Sequence, residues 1–297
     1  MTDVGRVRAV AVRLQQLDDR HGGADLADVA ARYVEHIESA VRSCTFGDRT
    51  RTGLYQALGE VASSAGWLSY DAGRQRQARG WWDAALRYAL LADDRNLQTR
   101  IWSSMSDQAT ALGHGNEGIA IARVALDATR GRREGKLSAL LHTRVADGHA
   151  AQGDRGPCAR SLLRAERAYD QGVQEDSAHW LSFFNAGEVS AATALCQADL
   201  GQYPAAVKAA RHSLAVIRET PLRRNTFSAH VRLARCLAGA GEFEEALAVG
   251  HQALDVLPGV RSPRVEDRLR QLRTDLLDRG VRGAEDFSAR YEAVRAG

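Results

Sequence analysis

The sequence predicts an all-α protein, an α-solenoid of about five helical hairpins with capping helices at its N- and C-terminal ends. Three observations carry that expectation. Glycines recur at Gly73, Gly113, Gly153, Gly201 and Gly241, in steps of forty, forty, forty-eight and forty residues, and self-similarity at such a period marks a stacked repeat. Small residues hold fixed places around each one. Seven before them stand Gly66, Ser106, Ala146, Ala194 and Ala234; five after, Ala78, Gly118, Cys158, Ala206 and Ala246; twelve after, Ala85, Ala125, Ala165, Ser213 and Ala253. Finally, Leu54 to Asp93 reads as two amphipathic helices meeting at Gly73. Antiparallel helices nest closely only where their crossing points carry no bulk, so the small positions are the expected contacts within and between hairpins.

In chain order, Val7, Val10, Leu14 and Leu17 repeat at helical spacing and predict a first helix that stops before His21-Gly22-Gly23. Leu26, Val29, Tyr33, Ile37 and Val41 form the stripe of a second, from Asp25 to about Cys44. Neither holds the hairpin register, so residues 1–50 are expected to cap the open N-terminal end, with Thr45 to Thr50 as the connection. The repeat array follows over 51–257, as hairpins 51–92, 94–131, 134–172, 178–219 and 224–257. The fourth turn glycine arrives eight residues late. The additional material falls around Gln171 to Asn185 and holds the densest aromatic cluster of the chain, Trp180, Phe183 and Phe184 beside His179. Pro221 suits the boundary before the last hairpin. Beyond Pro258-Gly259, Val265, Leu269, Leu272 and Leu276 predict a helix ending at Gly280, and a short one near 284–295 completes a C-terminal cap over 258–297.

Composition bounds the function classes. With 44% hydrophobic and 26% charged residues, 297 residues are ample for a continuous core. Forty basic residues face 37 acidic ones, a net charge of +3, so no strong field for a polyanion follows. Only Lys136 and Lys208 are lysines. Arg130-Gly131-Arg132-Arg133 reads as a solvated connector. Cys44, Cys158, Cys196 and Cys236 lack paired spacing and read as small buried thiols of a reducing compartment. No apolar run approaches a membrane span and the first ten residues carry charge where a signal peptide needs an apolar core. A cytoplasmic protein is expected.

The offsets resemble those of the tetratricopeptide repeat, which has small residues in both helices about a turn glycine. The Ala-Leu pairs Ala85-Leu86, Ala125-Leu126 and Ala253-Leu254 look like its second helix too. That repeat is about 34 residues long, and HEAT or armadillo units about 40 to 47. The extra residues read as longer helices in tetratricopeptide-like hairpins, with a HEAT-type array as the competitor. Either gives a helical solenoid.

The resemblance implies that the first helix of each hairpin lines a concave groove, through positions thirteen, ten, six, three and two before the turn glycine. Carried over, these are Glu60, Ser63, Trp67, Tyr70 and Asp71, then Arg100, Ser103, Asp107 and Thr110. Thr143 and Asp147, Glu188, and Ser228 with Arg235 follow from the later hairpins, and the irregular connection adds His179, Trp180 and Phe184. A polar lining with embedded aromatics suits a ligand with backbone amides and a side chain to bury.

Catalytic motifs are absent. His142 and His149 have no carboxylate or cysteine beside them at metal-ligand spacing, and there is no P-loop, dinucleotide fingerprint or nucleophile elbow. No metal and no cofactor are expected.

The stretches GWLSYDAGRQRQARGWWDAALRYALLADDRNL, LGHGNEGIAIARVAL, AHWLSFFNAGEV and DLGQYPAAVKAARHSL resemble the C-terminal sensor region of actinobacterial Xre-type transcriptional regulators. In these a helix-turn-helix precedes a tetratricopeptide array. RLQQLDDRHGGADL resembles the start of that region, so the similarity covers nearly the whole chain. With Met1 inside it, the expectation is a stand-alone sensor or adaptor, or the sensor half of a longer regulator, without direct DNA reading. The resemblance implies a noncatalytic binding module for a peptide, small signal molecule or protein partner, and allows a homodimer. The alternative is an enzyme or biosynthetic accessory protein on the same scaffold, with acid–base work by Asp71, Asp107, Asp147, Glu188 or His179.

Overall fold

A computed structural model describes residues 3–43, 45–131, 134–172 and 179–296. Among the described residues the protein is all-helical and contains no strand. Helices α1 (Asp3–His21) and α2 (Ala27–Ser43) precede five hairpins: α3 (Asp48–Asp71) with α4 (Gln75–Leu91), α5 (Arg95–Ala111) with α6 (Gly115–Ala128), α7 (Gly135–Ala151) with α8 (Arg155–Gln171), α9 (Ala186–Asp199) with α10 (Tyr203–Ile217), and α11 (Arg223–Ala240) with α12 (Phe243–Val256). Helices α13 (Pro263–Asp278) and α14 (Ala284–Ala296) follow. A single 3-10 turn, His179–Leu181, precedes α9. Of the long connection, 173–178 lie outside the described residues, as do Cys44 and the Arg132-Arg133 part of the arginine run; Arg130 pairs with Asp127 at 2.7 Å.

Each of the five turn glycines has a left-handed backbone, with φ between 73° and 86°, which a side chain disfavours. The turn closes the same way every time: the amide after the glycine reaches back to the carbonyl five residues earlier, as in Arg74 N to Ser69 O at 2.8 Å and His114 N to Ala109 O at 2.8 Å. Between α4 and α5 Asp93 takes the left-handed role at φ 51°. Asp94 then caps α5 by accepting from Leu97 N–H at 3.0 Å.

All fifteen small offset positions are buried. A methyl on Gly66 would sit 2.4 Å from the Trp82 indole nitrogen, so the helices of the first hairpin cross where only glycine fits. The first helices α3, α5, α7, α9, α11 and α13 touch one another in succession. The second helices bind mainly their own hairpin and the next first helix, and long ion pairs such as Arg79–Glu117 and Arg211–Glu245 bridge them. The stack therefore bends toward the first helices.

The ends depart from simple caps. α1 packs on α3 and also on α11, and α13 reaches α3, so the array closes on itself. At the closure Arg261 N–H donates to His21 O, and Ala24 N–H donates to Arg261 O at 3.3 Å. α13 and α14 pack on α11 and α12, continuing the array as a sixth pair. Its own offset positions, Arg273, Glu285 and Glu292, are not small.

Candidate functional site

Closure brings the inner faces of α1, α3, α5, α7, α11 and α13 around a shared interior. A first cavity, of about 90 Å³, has an apolar wall of Leu14, Trp67, Leu68, Leu140, Trp180 and Phe183. Its polar wall is Asp18, Arg100, Arg144 and Arg224, with the hydroxyls of Ser63, Ser64, Ser103 and Ser104. Trp67 is fixed on several sides. Its indole N–H donates to Asp18 at 3.0 Å, and the guanidinium groups of Arg224 and Arg264 lie 5.6 and 5.5 Å from its ring centre. Arg100 donates to Ser64 Oγ at 3.3 Å. Burial pushes Arg100 down to about 10 against the attraction of Glu60.

A chain of ionic contacts ties this cavity to the closure. Asp71 is fully buried and accepts from Ser262 Oγ at 2.8 Å, Arg264 at 3.2 Å and Gly23 N–H at 3.3 Å, with Arg224 at 3.9 Å. Burial acts to raise its pKa, but Arg224, Arg264 and these hydrogen bonds outweigh it and hold Asp71 ionised. Arg144 Nη1 bridges Asp107 at 2.7 Å and Asp147 at 3.6 Å. The two carboxylates behave differently. Burial raises both, yet Arg144, Arg264 and Arg268 bring Asp107 below the ordinary range, whereas Asp147, farther from Arg144 and repelled by Asp107, is pushed up to about 6. Cys196 Sγ donates to Asp147 Oδ1 at 3.3 Å. Cys158, Cys196 and Cys236 are all buried, and burial pushes Cys236 up to about 11.

A second cavity, of about 200 Å³, lies between α9, α11 and α13, with Tyr203 at its edge. Four arginines line it, Arg232, Arg235, Arg268 and Arg279, against two carboxylates, Asp199 and Asp275. Arg232 donates to Ser213 Oγ at 3.2 Å and Ser228 Oγ at 3.5 Å. Among the described residues Arg232, Arg235 and Arg268 form no ion pair. Burial, then the neighbouring Arg264, Arg235 and Arg232 charges, pushes Arg268 down to about 10.

Of the residues named from the sequence, Ser63, Trp67, Arg100, Ser103 and Trp180 line the first cavity, and Ser228 and Arg235 the second. Asp107 and Asp147 join the first through Arg144. Glu188 accepts from Asn225 Nδ2 at 2.9 Å and attracts both Arg144 and Arg232. Glu60 lies 3.9 Å from Arg8. Six further positions lie off both cavities. Tyr70 and Asp71 are 1% and 0% exposed, because closure by α13 seals the end of α3. Thr143 turns its hydroxyl back to Leu140 O at 2.7 Å. Phe184 sits in the core between Tyr169 and Phe183. Thr110 is half-buried, its hydroxyl against the backbone side of Gly118. His179 is exposed on the 3-10 turn and meets none of the carboxylates with which an acid–base role would pair it. Arg144, Arg224, Arg232, Arg264 and Arg268 were not foreseen. Their signal was present in the spacing: Arg264 and Arg268 are four apart, and Arg224, Arg232 and Arg235 share one face of α11.

The comparisons agree with this architecture. Residues 190–258 match the tetratricopeptide repeat family. No curated protein matches the sequence. Among solved structures, a Rap protein complexed with Competence and Sporulation Factor is similar at 13% identity and TM-score 0.59, over 98% of this chain and 94% of that one. NprR in complex with its cognate peptide NprX is similar at 14% identity and TM-score 0.57, over 99% and 78%. The apo form of RapI gives 10% identity and TM-score 0.51, over 98% and 76%. At these identities the likeness establishes a shared fold, the tetratricopeptide-like solenoid. No described helix is long and apolar enough to cross a membrane. No group of His, Cys, Asp or Glu among the described residues could hold a metal ion.

Proposed function

We propose that the protein is a regulatory receptor that binds a short peptide, or a small signal of similar chemistry, in the interior enclosed by α3, α5, α7, α11 and α13. The observation that carries this reading is the first cavity. Apolar rings of Trp67, Trp180 and Phe183 stand beside the guanidinium of Arg100 and four serine hydroxyls, a combination that buries a side chain while meeting backbone amides. The two similar structures whose peptide or factor is named support it by analogy of fold. A place in bacterial transcriptional or secondary-metabolism regulation follows from the resemblance to Xre-type sensor regions. Closure supplies a readout: a ligand in the interior touches both ends of the array, so occupancy alters how firmly α1 and α13 hold α3 and α11.

The enzyme alternative has one supporting observation, the carboxyl of Asp147 poised at about 6. Against it, Asp71 is sequestered by the arginines of the closure and His179 lies outside the cluster.

The test is native mass spectrometry of the full chain purified from its own host. The expected result is a co-purifying species of oligopeptide or metabolite mass, one per chain, that is lost in Trp67→Ala while the fold, followed by circular dichroism, is retained. A chain that carries nothing and binds nothing from host extract contradicts the proposal.

A further inference from the structure

The second cavity carries more positive charge than its own carboxylates balance. Cations are buried in proteins with a partner, because desolvation of an unpaired charge is costly. Arg264 has Asp71, and Arg144 has Asp107 and Asp147. Around the cavity of about 200 Å³, Arg232, Arg235, Arg268 and Arg279 stand against Asp199 and Asp275, and none of the four arginines forms an ion pair among the described residues. Arg232 donates to two serine hydroxyls, and its Nε is buried without a hydrogen bond. Glu188, the carboxylate that attracts it most, accepts from Asn225 Nδ2 at 2.9 Å instead. Burial raises the pKa of Asp199 despite the attraction of Arg235 and Arg268. Four guanidinium groups against two carboxylates leave a surplus of two positive charges.

We infer that Arg232, Arg235 and Arg268 form a site for the phosphate of a small phosphomonoester, a sugar phosphate in chemical class, whose carbon frame and hydroxyls meet the rest of the second cavity. The inference goes beyond the receptor reading and needs nothing in the first cavity. Charge selects the anion. A phosphomonoester carries close to two negative charges at neutral pH, its second pKa being about 6, and so matches the surplus that a single carboxylate would leave half unmet. Guanidinium groups meet phosphate oxygens through paired N–H donors. They come from two helices, α11 and α13, and the charges of Arg235 and Arg232 act against that of Arg268, so a bound dianion relieves a repulsion between elements. Size selects a small ester. Drug-sized ligands occupy about 300–1,000 Å³, and this cavity offers about 200 Å³. Leu195, Leu272, Leu276 and the Tyr203 ring, which lies against Gly239, give a carbon frame an apolar wall. Asp199 and Asp275 supply acceptors for hydroxyls. A net charge of only +3 over the chain gives no field for a polyanion, which favours a small molecule over a nucleic acid.

The experiment titrates the full chain by calorimetry with glycerol 3-phosphate, ribose 5-phosphate and glucose 6-phosphate, with their unphosphorylated parents, and with inorganic phosphate. Wild type is expected to bind at least one ester about tenfold or more tightly than inorganic phosphate, and the parents not measurably. Arg232→Gln and Arg268→Gln should each weaken that ester about tenfold or more, as fits the loss of a charge-assisted contact. Each removes one of a set of repelling charges, so the fold, followed by circular dichroism, is retained. Arg235→Gln, at an exposed position, should weaken the ester in the same direction and keeps the test open if either of the others fails to fold. Arg211→Gln on the outer α10 and Trp67→Ala in the first cavity should leave the affinity unchanged. Inorganic phosphate binding as tightly as every ester overturns an organic occupant. A phosphoserine peptide or an oligonucleotide that binds where the esters do not overturns a small one. Binding of no phosphorylated probe, or unaltered affinity in all three arginine variants, overturns the site itself. None of these results bears on the receptor reading, whose own test is the co-purifying species lost in Trp67→Ala.

Discussion

The arginines of the interior govern what each carboxylate can do. Asp107 and Asp147 share Arg144, but the near one is held charged and the far one is pushed up to about 6. For Asp147 the sign of the linkage is fixed by that direction. A folded-state pKa above the ordinary 3.8 means the native protein binds the proton more tightly, so stability falls as pH rises from about 4 to about 6 and the penalty is complete above that. Asp147→Asn keeps an acceptor for Cys196 and leaves Asp107 on Arg144. It is expected to gain about 1–3 kcal/mol at pH 7.5 and to lose this part of the pH dependence, measured by urea unfolding at pH 4.5 and 7.5. A variant less stable than wild type at pH 7.5 would show that Asp147 is needed as an anion. At this scale the sequence was partly legible. Trp67 and Arg100 stand on the cavity because their offsets repeat those of a lining helix, and Trp180 reaches it from the irregular connection. Asp71 has an equivalent offset but is sealed in by Ser262 and Arg264, which lie nearly two hundred residues away, a distance no local pattern encodes.

Among the elements, the hairpins were readable because each must pass two neighbours at close range, which forces a small residue at every crossing. The pair α13–α14 lacks those marks and reads as a cap in the sequence, although it packs on α11 and α12 as part of the array. The closure has its own local requirement at the α1–α2 turn. Gly22 has φ 82°, and a methyl there would lie 2.3 Å from Arg261 O, a backbone atom that cannot give way without moving the chain. Gly22→Ala is expected to cost about 1–3 kcal/mol through backbone strain and overpacking. Gly80→Ala, whose methyl meets nothing within 4 Å on α4, should instead gain about 0.5–1 kcal/mol. Thermal unfolding of both decides it; a neutral Gly22→Ala would mean the ends are not in contact.

As a whole molecule, the protein is a bent stack whose first helices face inward and whose two ends meet. Curvature follows from the unbroken succession of contacts among the first helices. Closure follows from Asp18, Asp71, Arg224 and Arg264, four charges that pair with one another when α1, α3, α11 and α13 assemble. The interior is the molecule's concentration of buried charge beside exposed aromatic surface, which is why recognition is placed there. The most direct measurement is hydrogen–deuterium exchange of the full chain with and without the species that co-purifies from its own host, at saturating concentration. Slower exchange is expected in α3, α5, α7, α11 and α13, and little change in α4, α6, α10 and α12. Protection confined to those outer helices, or none on any helix despite binding, would contradict it.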